Sequence, residues 1–229
     1  MSVWFCIPSA RPAVEAEPVF AKWRQMGYRI ALLRQGDPIR AELVIPTHEY
    51  RGWAGSINRL ARLVFGSDPH ADWIVSGGDD TEPDPAHRAD EIAAQSTAHF
   101  GGTFGVMQPT GDRWAGGSID RICGSPWLGR QFCERMYQGG GPMYDGYLHM
   151  FGDEELQHVA RGLGVLWQRR DLTHLHKHYF RTADDGVNLC ARIPPHMQEW
   201  NSHKHWSESQ SLFNSRRIAG FPGHKPLSA

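Results

Sequence analysis

Residues 73–85, WIVSGGDDTEPDP, constrain the fold of this chain more than any other stretch. A short apolar run (Trp73, Ile74, Val75) leads into two glycines and then two adjacent aspartates. A buried strand delivers carboxylates in this way to the C-terminal edge of a sheet, where open α/β folds bind their ligands. Asp79 and Asp80 repel each other, so the pair is either well solvated or shares a hard cation such as Mg2+ or Mn2+. An Asp-rich turn is the alternative, since Gly, Asp and Pro all form turns. One acidic turn does not decide between the two.

The surrounding pattern predicts α/β architecture. Short apolar strands are expected at 3–7, 28–33, 42–45 and 73–75. Helices are expected at 13–26, at 56–65 with Ser56 as a cap, and at 86–98. Short strands alternating with helices indicate a largely parallel sheet covered on both faces. Further on, a strand at 104–107, a helix at 126–137, a flexible connector at 139–142, a helix at 153–163 and a strand at 165–168 are expected. From about 184 the chain is polar, aromatic and proline-punctuated, which reads as an irregular tail packing on the same domain. The domain itself is expected to span 1–183, with a nucleotide-binding half to about 100 and an acceptor half beyond it.

Bulk properties narrow the class. The 229 residues are 40% hydrophobic and 21% charged, an ordinary globular balance. No run approaches the ~18 apolar residues of a membrane span, and the N-terminus lacks the basic start and long apolar core of a secretory signal. Cys6, Cys123, Cys133 and Cys190 are widely spaced, which suits buried free thiols in a reducing cytoplasm. Residues 1–160 carry 14 Lys/Arg against 20 Asp/Glu, a net −6, whereas 161–229 carry 10 against 5, a net +5. A basic final third suits a phosphate-bearing ligand or a nucleic-acid surface, or is a solvated face. Arg169, Arg170, Lys177 and Arg181 are the cations that would grip a phosphate-rich polymer.

Four segments in order resemble the nucleotide-diphospho-sugar transferases of the GT-A fold, glycosyltransferase family 2 in particular. They are CIPSARP after the first strand, GWAGSINRLAR, SGGDDTEPDP and FGDEELQHVARGLG, together covering about residues 3–170. The resemblance implies an αβα sandwich with a mixed, mainly parallel sheet. It also implies a metal-dependent enzyme that moves a sugar from a nucleoside-diphosphate donor, a UDP-sugar foremost, to an acceptor hydroxyl with inversion. The acceptor is open, modified DNA or a glycan being compatible. By the same resemblance Pro8, Ser9 and Arg11 line the nucleoside pocket, Asn58 lies beneath the nucleotide, Asp37 meets the base or ribose, and Asp153 is the catalytic base. Asp80 binds Mn2+ or Mg2+ with Asp79 assisting. Two departures stand out: Gly78 replaces the first acidic residue of D-x-D, and Gly152 replaces the Glu before Asp153.

Each of these residues has a plainer reading. Asp153 is also placed to cap a helix, with Glu154 and Glu155 complementing its dipole. Glu82 and Asp84 read as solvated or as caps of a helix starting near Pro85, and Asp37 as part of a Gly-Asp-Pro turn. His174, His176 and His178 share one face if extended, and His176 is the choice for a further metal ligand. Donation to the diphosphate as imidazolium, or a half-buried polar strand face, is the alternative for all three, and hydrogen bonding to a neighbouring loop is the alternative for Asn58. Trp206 and His205 are candidates to close over the donor, and Trp114, Trp127 and Tyr144 to stack on a sugar or base; core packing serves equally well for each. A nucleotidyltransferase would need a glycine-rich phosphate loop after the first strand, where SARPAVE has none. A non-catalytic protein that binds nucleotide-sugars or nucleic acid is the alternative from another class.

Overall fold

In the computed structural model, residues 2–112, 118–179, 181 and 193–228 are described. The first half of the chain folds as β1 (Ser2–Ser9), α1 (Ala13–Gln25), β2 (Arg29–Arg34), β3 (Leu43–Pro46), α2 (Trp53–Ser67), β4 (Ala71–Val75), β5 (Thr81–Glu82) and α3 (Ala89–Phe100). The second half adds β6 (Val106–Pro109), β7 (Trp127–Gly129), α4 (Arg130–Arg135), α5 (Gly152–Gly162), β8 (Leu166–Arg169), β9 (Leu175–His176) and α6 (His203–Ile218). Seven strands form one sheet in the order β3-β2-β1-β4-β7-β6-β8. The β1–β2, β1–β4, β2–β3 and β6–β8 pairs are parallel, and β7 runs antiparallel to both β4 and β6. This is the mixed, mainly parallel αβα sheet that was expected.

The alternation along β1 explains the layering. Val3, Phe5 and Ile7 join the core on the α1 and α3 face, with Phe5 stacked on Trp23 at 3.8 Å. Trp4 and Cys6 point the other way into a core shared with α2, α4, α5 and α6. Strands buried on both faces need helices on both, and α1 and α2 supply them from opposite sides of β1. The chain therefore reverses its winding between β1 and β4, and a crevice opens there beyond the carboxyl ends of the strands.

Several expectations are corrected. Residues 126–137 do not form one helix: Trp127, Leu128 and Gly129 are buried as β7, and only Arg130–Arg135 is α-helical. Leu128 and Trp127 are taken up between β4 and β6, so sheet pairing overrides the local helical reading. Ser56 lies inside α2 rather than capping it, its hydroxyl donating to the Gly52 carbonyl at 2.6 Å. The third helix begins at Ala89, with the Arg88 amide donating to the Glu91 carboxylate at 2.9 Å. The tail is not irregular throughout, because α6 runs for 16 residues from a Ser202 cap. Cys6, Cys123 and Cys133 are free and buried as expected, and Cys190 lies outside the described residues. Among the described residues no helix is long and apolar enough to cross a membrane.

Asp68, at the end of α2, ties the start of β1 to its neighbours. It accepts from the Ser2 hydroxyl at 2.6 Å, Trp4 Nε1 at 2.9 Å and the His70 amide at 2.9 Å, and faces Arg29 at 3.0 Å. Burial alone would raise its pKa, but these partners outweigh it and bring the carboxyl down to about 2. A carboxyl depressed on folding stabilises the native state above its ordinary value of 3.8, and that contribution is lost as pH falls through about 2. Melting temperatures measured from pH 5 to pH 2 are expected to fall less steeply for Asp68→Asn than for wild type. Parallel curves would remove this role.

Candidate active site

The crevice between β1 and β4 holds a cavity of about 380 Å3. Its floor is built from the two strand ends. Ser9 closes β1, and the Gly77–Asp80 loop continues from β4, so the parallel pairing of these strands sets Asp79 beside the loop after β1. Asp79 accepts from the Ser9 hydroxyl at 3.0 Å, the Arg11 amide at 3.2 Å and Arg11 Nε at 2.9 Å. Arg11 Nη2 reaches on to Asp80 Oδ2 at 2.8 Å, so one guanidinium spans both carboxylates. Burial works against the Arg11 charge, but Asp80 and Asp79 outweigh it and raise its pKa. Buried Arg34 completes the row, donating to the Ser9 hydroxyl at 2.8 Å.

The histidines come from β9. Antiparallel pairing sets His176 opposite Thr81, and the Lys177 amide donates to the Asp80 carbonyl at 2.9 Å. His176 Nε2 therefore lies 3.2 Å from Asp80 Oδ1. Burial opposes ionisation of Asp80, yet the hydrogen bond and charge from His176, with Arg11, hold its carboxyl below the ordinary value. His178 lines the same cavity, its ring 4.9 Å from that of His176, and burial pushes its pKa down to about 4. The three histidines do not converge. His174 is buried, bonded through Nδ1 to the Ser125 hydroxyl at 2.7 Å and packed on Trp23; it precedes the two-residue β9, at a point where the Thr173 amide donates to Asp84 at 2.8 Å.

Asp153 lines the same cavity. It is the second residue of α5, not the cap, a position held by Phe151. Its Oδ1 accepts from the neighbouring Glu154 amide at 3.0 Å. Burial raises its pKa and that amide partly opposes the rise. A half-buried carboxylate with a raised pKa, held by local backbone hydrogen bonds, is what a general base requires. Tyr50, Trp53, Met150, Met197 and Trp200 give the cavity a largely apolar wall. Tyr50 is fixed by His149 Nδ1 at 2.9 Å and by the Trp200 ring at 5.1 Å, and with Trp200 it also borders a more open cavity of about 540 Å3 near Gln35 and His48.

Thus Pro8, Ser9, Arg11, Asp79, Asp80, His176 and Asp153 are brought together around one cavity. Asn58 and Asp37 are not among its lining residues. Asn58 is buried in α2, with its amide donating to the Met143 carbonyl at 2.8 Å and accepting from the Met143 amide at 3.1 Å. Gly52, at φ +79°, lies so close to the Tyr147 and Leu148 carbonyls that a Cβ would meet them at 2.5 and 2.2 Å. The GWAGSIN stretch therefore stitches the loop before α5 onto α2. Asp37 offers its carbonyl to Arg34 Nε at 2.8 Å. Glu82 and Asp84 are buried, not solvated. Glu82 pairs with Lys22, and Asp84 caps the turn at Ala86 and His87.

Trp127 is core, Tyr144 lies under Arg216, and Trp206 packs on Phe151. Trp114 lies outside the described residues. The four cations considered for a phosphate polymer each face a carboxylate: Arg169 on Asp171, Arg170 on Asp120, Lys177 on Glu82 and Arg181 on Asp112.

Sequence reading missed the partner of Glu155. Its carboxylate is buried and accepts four hydrogen bonds: Arg216 Nε and Tyr147 at Oε2, Arg216 Nη2 and Tyr137 at Oε1, all at 2.7–2.8 Å. Signals for α6 were present: Ser202 before the helix, and Arg216-Arg217 followed by Gly220 at its end.

Among the described residues no group of three or more His, Cys, Asp or Glu converges on a point that could hold a metal ion. Asp80 and His176 nevertheless fit as two ligands of an open site. Donors ~2.1 Å from one ion and at right angles lie ~3 Å apart, close to the 3.2 Å seen. Substrate phosphates and water commonly fill the other positions of such a site. Carboxylate and water suit Mg2+ and Mn2+ alike, and imidazole is a ligand of first-row transition ions.

No model of a known protein family matches the sequence, and no curated protein matches it. Among solved structures the chain is similar to a Drosophila β1,4-galactosyltransferase 7 mutant in complex with manganese, UDP-Gal and xylobiose, at 14% identity and a TM-score of 0.47, covering 82% of this chain and 76% of that one. It is likewise similar to the catalytic domain of Drosophila β1,4-galactosyltransferase 7 in complex with xylobiose, at 16% identity and a TM-score of 0.46, covering 88% of this chain and 81% of that one.

Proposed function

We propose that this chain is a glycosyltransferase that uses a divalent metal to move a sugar from a nucleoside-diphosphate donor to an acceptor hydroxyl. One observation carries the reading. A cationic and carboxylate cluster (Arg11, Asp79, Asp80, His176) sits at the point where the sheet reverses its winding, and a further carboxylate, Asp153, lines the same cavity. The order of motifs along the chain supports it independently.

The residues divide the work by chemistry. Ser9 and Asp79 hold Arg11 at the cavity floor, where its guanidinium faces the donor's phosphates. A divalent ion on Asp80 and His176, when bound, neutralises charge growing on the departing diphosphate. Asp153 accepts the proton of the acceptor hydroxyl at its carboxylate, so that the oxygen attacks the anomeric carbon from the face opposite the diphosphate and inverts it. The wall of Tyr50, Trp53, Met150 and Trp200 excludes water that would otherwise hydrolyse the donor. The acceptor meets an apolar, aromatic surface rather than free cations, which favours a neutral hydroxyl compound over a phosphate polymer.

Incubation with a panel of sugar nucleotides and Mn2+ tests the reading. Slow release of a nucleoside diphosphate is expected from one donor. Calorimetry should show Mn2+-dependent binding of that donor, weakened at least tenfold, or about 1.4 kcal/mol, in Asp80→Asn. Binding without turnover would leave a nucleotide-sugar binding protein, and neither binding nor release would end the proposal.

A further inference from the structure

The C-terminal helix α6 lines no part of the cavity, yet it grips the elements that do. Arg216 forms the two-pronged bond to Glu155 on the first turn of α5, covers the Tyr144 ring at 3.3 Å and donates to the Pro222 carbonyl at 3.0 Å. Phe213 and Trp206 pack on Phe151 at 5.4 and 5.6 Å. His205, in the first turn of α6, backs the cavity residue Trp200 at 5.4 Å.

Phe151 is the key to what these contacts do. It occupies the left-handed region at φ 72°, a conformation a bulky residue keeps only where its surroundings enforce it. Two residues later the chain presents Asp153 to the cavity. A relaxed Phe151 would turn the first helical turn, and the carboxylate with it, to another direction.

We infer that α6 is a positioning element for Asp153, with Arg216 acting through Glu155, and Phe213 and Trp206 acting through Phe151, to aim that carboxylate into the cavity. The inference rests on reading Asp153 as the base. Among the described residues, the other groups around Asp153 include Glu154 beside it, Cys123 whose amide donates to its carbonyl at 3.2 Å, and Arg121 and Arg217 facing Glu154. Arg217 belongs to α6, so the helix also reaches Asp153's immediate neighbour by charge.

Two full-length variants test this. Trp206→Ala removes a ring that is 41% exposed, and Glu155→Gln with Arg216→Met replaces the buried ion pair without stranding a charge. In each, the Asp153 carboxyl is followed by carbon NMR titration, with Asp153→Asn giving the assignment, and turnover of the donor is measured in parallel. The titration is expected to move down towards the ordinary value of 3.8 as water reaches the carboxylate. kcat is expected to drop about 10- to 100-fold with donor KM little changed. Folded variants in which the titration and kcat both stay at wild-type values would overturn the inference, since a merely structural helix would leave them alone. Should Trp206→Ala fail to fold, the double variant decides. If wild type turns over no sugar nucleotide, the glycosyltransferase reading fails by itself, and the titration still reports whether α6 aims Asp153.

Discussion

Arg216→Met is expected to destabilise the protein by about 3–5 kcal/mol, the usual cost of stranding one member of a buried ion pair. Glu155 is 1% exposed and Arg216 7% exposed, so neither has water to fall back on. With Arg216 gone, Glu155 keeps only the Tyr137 and Tyr147 hydroxyls and must either hold an uncompensated charge or take up a proton. A drop in Tm of roughly 10 °C should accompany the loss in a chain of this length. Changing Glu155 to Gln in the same chain should recover most of it, because a neutral amide can accept from one tyrosine hydroxyl and donate to the other. Denaturant melts of wild type and the two variants measure this directly; a single substitution costing under about 1 kcal/mol would show that the pair is no more than a surface bridge.

Asp153→Asn is expected to lower kcat about 10²- to 10⁴-fold while donor binding stays at the wild-type level. The carboxylate lines the cavity without bonding to the Arg11–Asp79–Asp80 cluster, so its loss should spare the diphosphate. A pH signature goes with it. Because burial raises the Asp153 pKa, wild-type kcat should fall on the acid side as pH drops through a value above the usual 3.8 for Asp, and that limb should vanish in the variant. Stability should move the other way. A carboxyl raised on folding is held in its charged form at a cost, so above its folded pKa the neutral Asn variant should melt higher than wild type. Loss of donor affinity together with a lower Tm would instead mark Asp153 as a structural residue of α5.

How much of this was legible follows from the range of the interactions. β1, β2 and β4 were readable because each is a short apolar run closed by a proline, glycine or polar loop, and burial on both faces demands nothing more from the sequence. Residues 126–137 were misread because Trp127 and Leu128 suit a buried helix as well as a strand. Only the slot between β4 and β6 selects the strand. Helix α6 was missed because its apolar residues do not form a stripe; it is held by Phe213 and by one buried ion pair instead.

The candidate site divides along the same line. The sequence alone determined that two aspartates end a buried strand, that an arginine follows β1, and that an acidic helix start comes late in the chain, since each is a property of neighbouring residues. It could not say which histidine meets Asp80. That depends on a two-residue pairing across 95 positions, Thr81 with His176, and the same pairing leaves His174 in the core. Nor could it separate Asn58 from the cavity, because the loop that Asn58 binds lies 85 residues away. Tertiary structure decided these points for a physical reason: hydrogen bonds and ion pairs act over about 3 Å whatever the separation along the chain, and only folding brings such partners within that reach.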